Sequence, residues 1–171
     1  NYEKLIEICD NNNITFMSTP FDEESADMLV DIGMKAFKIA SCDLTNLPFL
    51  RHIAKKKLPV LISTGASTIK EIQAAVDVIT KENNHNIVIM HCTLCYPTDP
   101  KDSNLSALND IKVNFNDYIL GFSDHTLGTI VPAASVLYGV KVIEKHYTFD
   151  KTLPHSADHW LSLDEEELTT L

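Results

Sequence analysis

Apolar residues in this chain gather in short dense runs. Between the runs they recur every third or fourth position instead. The runs are ITFMST from Ile14, AFKIAS from Ala36, PVLIST from Pro59, NIVIMHCT from Asn86, YILGFSD from Tyr118 and VKVIEKHYT from Val140. Each is about six residues long and rich in β-branched side chains, the pattern of strands buried on both faces of a parallel sheet.

The intervening stretches predict helices. Asp22 is placed to cap a helix that runs to Met34, with Ala26, Leu29, Val30 and Ile32 as its apolar contributors. A second helix is expected over 46–57, with Pro48 in its first turn. A third starts at Ser67 or Thr68, and Glu71 stands at capping-box spacing from Thr68. Its apolar set of Ile69, Ile72, Ala75, Val76 and Ile79 follows one helical face. Further helices are expected over 105–115 and 129–138. The closing DEEELTTL reads as a helix start, and the opening NYEKLIEICDNNN as the last turns of an amphipathic helix.

Strands separated by roughly 22 to 32 residues, each followed by a helix, form βα repeats. A dinucleotide-binding open sheet would carry G-x-G-x-x-G after its first strand, and no such motif is present. A polar cluster ends almost every strand instead: STP, KIASCD, STGAST, HCTLCYP, FSDHT and EKHYT. A barrel brings all its strand ends round one axis, so each can contribute to one site. The sequence therefore predicts an α/β fold of the TIM (β/α)8-barrel type. About six of the eight units are counted, with the first two expected before Asn1, and residues 1–171 form a single partial barrel domain.

Composition narrows the function. The formal net charge is −10, which argues against a nucleic-acid partner. No apolar run approaches the roughly 20 residues that span a bilayer, and the amino end lacks the pattern of a signal peptide. Cys9, Cys42, Cys92 and Cys95 are too few for a disulfide framework in a chain of this length. Reduced cysteines in a cytoplasmic protein are expected. Cys92 and Cys95 form a C-x-x-C without a second such motif, so neither a redox pair nor a zinc site is expected of them.

Several residues carry candidate chemistry. Lys38 lies inside an apolar strand, where a lysine needs a solvated site or an anionic partner. Thr19, Ser41, Ser63 and Ser123, with Ser18 and Thr64, place hydroxyls at strand ends and suggest a cradle for an anionic ligand. His125 and His146 end the last two strands, with Asp124, Glu144 and Asp158 nearby. One such histidine alone would be read as hydrogen-bonding its neighbours. Two on adjacent strands, beside carboxylates, read as ligands of a divalent metal. His91 also ends a strand and is expected to serve packing. The loop DKTLPHSADHW is placed where a substrate loop belongs.

In order along the chain, FMSTPF, FKIASCD, LISTGAS, HCTLCYP, Asn104-Leu105, GFSDHT, IEKHYTFDKTLP and ADH resemble the motifs of the sialic acid synthase (N-acetylneuraminate synthase) family. The resemblance covers nearly the whole chain. It implies a TIM barrel that condenses phosphoenolpyruvate with an N-acetylated amino sugar such as N-acetylmannosamine, using Mn2+ or Mg2+. It places phosphoenolpyruvate near Thr19, Lys38, Ser41, Ser63 and Ser123, makes His125 and His146 the metal ligands, and sets Glu144 beside metal and sugar. Tyr96 and Asp158 are implied to contact the sugar, and Asp43 to position water or shuttle a proton. Family members dimerise through a small C-terminal antifreeze-like domain that this sequence lacks, so the full-length parent is expected to be a homodimer.

Three positions depart from the family pattern. Leu94 stands where sialic acid synthases can carry Asn, HSADH lacks the glycines common before its Asp, and the first strands are not in the sequence. The runners-up are a synthase of legionaminic or pseudaminic acid and a degenerate barrel that only binds a sugar phosphate or a partner protein. The presence of both histidines argues against the degenerate barrel.

Overall fold

The computed structural model describes residues 2–156 and 158–171. The chain is an α/β protein whose strands lie in sequence order in one sheet, β1-β2-β3-β4-β5. It packs as two compact units, Asn1–Ser63 with Ser67–Val88, and Thr64–Ala66 with Ile89–Leu171.

The first unit holds helices α1 (Tyr2–Asn11), α2 (Glu23–Asp31), α3 (Leu47–Lys55) and α4 (Ile69–Lys81), with strands β1 (Phe37–Ile39) and β2 (Val60–Ser63). The third strand, β3 (Ile87–Cys92), begins here. β1 and β2 pair in parallel, with Lys38 opposite Leu61. The expected helix starts are realised. Asp22 accepts from the Ser25 N–H at 2.6 Å. Asn46 caps α3 ahead of Pro48, and Thr68 and Glu71 close a reciprocal capping box on α4. Each satisfies backbone N–H groups that the first helical turn leaves without partners. The core comes from the strand faces and the helical stripes: Phe37, Ile39, Val60 and Ile62 of the strands and Leu50, Ile53, Ala75 and Ile79 of the helices are all buried.

The run from Ile14 corrects the expected strand count. It makes only an isolated parallel bridge, Ser18 to Phe37. Ile14 and Met17 are exposed, so the run lacks the two-sided burial that its composition suggested. Five strands are formed among the described residues. The opening helix α1 is present as expected but buries none of its residues.

The second unit completes β3 and adds α5 (Ala107–Asn114), β4 (Ile119–Asp124), α6 (Ile130–Ser135), β5 (Val142–Lys145), α7 (Asp158–Leu161) and α8 (Glu165–Thr170). β4 and β5 pair in parallel with Ser123 opposite Glu144 and Asp124 opposite Lys145. The tail of α6 tightens into a 3-10 turn that Gly139 ends at φ 93°, a left-handed conformation suited to glycine. Ile89, Met90, Leu108, Phe122 and Leu163 form the core. The closing acidic segment is a short helix with a capping box between Asp164 and Glu167. No helix among the described residues is long and apolar enough to cross a membrane.

Candidate active site

The two units carry two polar clusters, each built on strand ends. In the first, Lys38 sits mid-β1 and is partly buried. Its Nζ donates to Ser63 Oγ at 2.7 Å and to the Ile39 carbonyl at 3.3 Å. Ser63 ends the neighbouring strand and is buried, so the parallel pairing of β1 with β2 delivers the hydroxyl to the ammonium. Ser41 and Asp43 follow β1 in a single 3-10 turn, Ser41–Asp43. Asp43 is only partly exposed and lies within reach of its neighbours Cys42 and Asn46. Thr19 is half-buried, on the irregular segment beside the Ser18 bridge.

The second cluster follows from strand periodicity. Successive residues of a strand face opposite sides, so Ser123 and His125 share one side and Glu144 and His146 share the matching side of the next strand. Ser123 Oγ donates to Glu144 Oε1 at 2.7 Å. The His125 and His146 rings lie 5.3 Å apart between centroids. Tyr96 covers both, at 4.0 Å from His125 and 6.0 Å from His146.

The tautomer of His125 is set by its partner. Its Nδ1 lies 2.9 Å from the Thr93 carbonyl. A carbonyl only accepts, so Nδ1 carries the proton and Nε2 keeps its lone pair. Burial, the largest influence, holds His125 below the ordinary histidine range. The Thr93 carbonyl opposes that shift, while the nearby His146 reinforces it. His125 is thus a neutral imidazole at neutral pH, the form that ligates metals. His146 is about one-third exposed, with Nδ1 3.8 Å from Asp158 Oδ2, and its backbone carbonyl accepts from the Leu163 N–H at 2.9 Å. Asp158 opens α7 and is half exposed.

Among the described residues, no three His, Cys, Asp or Glu side chains converge as a ready-made metal cluster. Two neighbouring imidazoles are a partial donor set, of the kind that suits an open metal site rather than a closed structural one. His91 serves packing, as expected. It stacks on Phe122 at 5.8 Å, and its Nε2 is 2.8 Å from the Ser103 carbonyl. Burial lowers its pKa against the opposing pull of that hydrogen bond. Of the C-x-x-C pair, Cys92 is buried and Cys95 exposed.

Behind the second cluster lies an ion pair: Asp124, expected beside the histidines, turns instead to Lys145, which sequence reasoning passed over. Lys145 Nζ meets Asp124 Oδ2 at 2.6 Å, with side chains 5% and 0% exposed. Asp124 also accepts from the Thr126 N–H and hydroxyl, each at 3.0 Å. The signal was available: S-D-H and E-K-H each set a charge of opposite sign directly before the strand-end histidine.

The model of the NeuB family matches residues 1–171. The chain belongs to the NeuB family. The N,N'-diacetyllegionaminic acid synthase of Legionella pneumophila is 43% identical over 171 residues, covering 98% of this chain and 48% of that protein. The N-acetylneuraminate-9-phosphate synthase of Drosophila melanogaster is 35% identical over 170 residues, covering 99% and 45%. The crystal structure of spore coat polysaccharide biosynthesis protein SpsE from Bacillus subtilis superposes with a TM-score of 0.95 at 40% identity, covering 98% of this chain and 47% of that one. The NeuB chain thus spans about half the length of the curated relatives it matches. The resemblance seen in the ordered motifs and the family match agree.

Proposed function

We propose that this chain is part of a synthase that condenses phosphoenolpyruvate with an N-acetylated amino sugar, N-acetylmannosamine or a close relative, to give a sialic-acid-type product and phosphate. The observation that carries the reading is His125 beside His146 under Tyr96, with Ser123 and Glu144 one step back on the same strands. The strands then belong to a TIM-type barrel of eight β/α units.

In this reading C3 of phosphoenolpyruvate forms a bond to the aldehyde carbon of the open-chain sugar, whose oxygen takes up a proton. Water adds at C2, and the tetrahedral intermediate expels phosphate to leave the ketone. Sugar, phosphoenolpyruvate and water in thus balance product and phosphate out. Lys38, Ser41 and Ser63, with Thr19 and Ser123, hold the phosphate and carboxylate, which is positioning and electrostatic work. Glu144 sits beside the sugar oxygen, and Asp43 orders the water or moves its proton. Tyr96 and Asp158 contact the sugar. His125 and His146 would hold a divalent ion, Mn2+ or Mg2+, and that ion would supply Lewis acidity at the aldehyde.

A second reading changes only the acceptor, to the amino-sugar precursor of a legionaminic-type acid. It is favoured by the higher identity to the Legionella synthase, 43% against 35% for the Drosophila protein, and by Leu94, which is exposed where sialic acid synthases can carry Asn. The test is phosphate release from phosphoenolpyruvate by the purified full chain with Mn2+, against a panel of N-acetylated amino sugars. Release with one acceptor supports the synthase and identifies its sugar. No release with any acceptor sinks it. His125→Ala is expected to abolish metal-dependent release, and near wild-type activity there would remove the metal assignment.

A further inference from the structure

We propose that Lys145 is a positioning residue that clamps the turn carrying His125 to the strand carrying His146, and so sets the spacing of the two imidazoles. The inference rests on the reading of that pair as metal ligands, and goes beyond it to a residue on the opposite face of the ladder.

The turn is built first. Asp124 ends β4, and its carboxylate accepts both the N–H and the hydroxyl of Thr126. This folds residues 124–126 into a tight turn with His125 at its apex. The Thr98 N–H bonds the His125 carbonyl at 2.9 Å, and the His125 Nδ1–H donates to the Thr93 carbonyl. These bonds orient His125, but none reaches β5.

Lys145 supplies that link. It stands opposite Asp124 in the register, immediately before His146. Its ammonium bonds Asp124 Oδ2 and also the Thr126 carbonyl, so it grips both ends of the turn. The pair is sealed: Asp124 and Thr126 are 1% and 0% exposed. Salt and water do little to loosen a contact so enclosed. Because Lys145 and His146 are consecutive, a shift of the turn relative to Lys145 is also a shift of His125 relative to His146. Holding the ligands in place through groups that do not ligate is how outer-shell contacts tune a metal site.

The pair is not there simply to stabilise. A buried ion pair is often no more stable than apolar residues of similar volume, so its retention points to fixing one arrangement. Here the arrangement fixed is the one that presents the two rings 5.3 Å apart.

The test uses Lys145→Met in the purified full chain. Circular dichroism establishes folding, calorimetric titration with Mn2+ measures affinity, and NMR of the imidazole nitrogens reads the His125 tautomer. We expect a folded variant with Mn2+ bound about ten- to a hundred-fold more weakly. We also expect a His125 ring that mixes tautomers, and phosphoenolpyruvate binding close to wild type. A folded variant with wild-type affinity and a single wild-type tautomer overturns the clamp.

If Lys145→Met does not fold, Asp124→Asn with Lys145→Met removes both charges while keeping an acceptor for Thr126, and the same measurements decide. Failure of both variants to fold makes the pair purely structural and also overturns the proposal. A wild-type chain that binds no Mn2+ removes the metal reading instead, and the tautomer measurement still judges the clamp.

Discussion

Lys38 and Lys145 both sit within apolar strands of parallel sheet, yet the fold uses them in opposite ways. Lys145 is sealed against a carboxylate of the next strand, its side chain 5% exposed. Lys38 is only partly buried, and it donates to the Ser63 hydroxyl and the Ile39 carbonyl. A charge enclosed with its counter-ion holds one geometry and has little left for a ligand. A charge at a partly open strand centre, steadied by a hydroxyl, can meet an anion that comes and goes. The difference follows from which residue stands one strand away: Ser63 ends β2, whereas Asp124 ends β4.

Substituting each lysine should separate the two uses. Lys145→Met leaves Asp124 buried without its counter-charge and is expected to cost about 3–5 kcal/mol of stability. Denaturant titration checks this, and a loss below about 1 kcal/mol would make the pair energetically idle. Lys38→Met acts at a partly exposed strand position. Its expected signature is a fall in turnover of about a hundred- to a thousand-fold, the usual scale for losing one preorganised electrostatic contact. Little change in melting temperature should accompany it. Steady-state kinetics beside a thermal melt would show it, and a large loss of stability with normal turnover would exchange the roles of the two lysines.

The smallest effect concerns pH. Burial lowers the pKa of His91 and of His125 from an ordinary value of 6.5. The folded state therefore binds fewer protons than the unfolded chain, and stability rises with pH. The neutral-ring contribution is whole above pH 6.5 and is lost as pH falls through the depressed folded values. The melting temperature should drop between pH 7 and pH 5. His91→Gln should flatten that slope in part, leaving the share due to His125. An unchanged slope would show that His91 titrates alike in both states.

Much of this was legible in the sequence because it is local. The caps at Asp22 and Thr68 depend on residues three apart, and each forms as the spacing predicted. The histidine pair was legible because both residues close conspicuous strands. The run from Ile14 misled because composition reports what a segment could bury, not whether neighbours exist to bury it, and Ile14 is 60% exposed. Lys145 was overlooked for a different reason. Glu144 and His146 flank it with more familiar chemistry, and the value of the middle residue depends on strand register. Only with Asp124 placed opposite Lys145 does a charge hidden in E-K-H acquire a meaning. Tyr96 could be named from its motif, but its stacking on His125 required the loop after β3 to fold back over a strand some thirty residues later.

The alternation along β4 and β5 also works as a parity check. On one face the paired strands set Ser123 against Glu144. On the other they set Asp124 against Lys145. If β5 slipped by one residue, every β5 side chain would change faces. Lys145 would then lose its carboxylate at the same moment that His146 turned away from His125. The error would be penalised twice, once as an unmatched enclosed charge and once as a histidine pair pulled apart. A chain misassembled in this way would be unstable, leaving little of it to accumulate as a folded decoy.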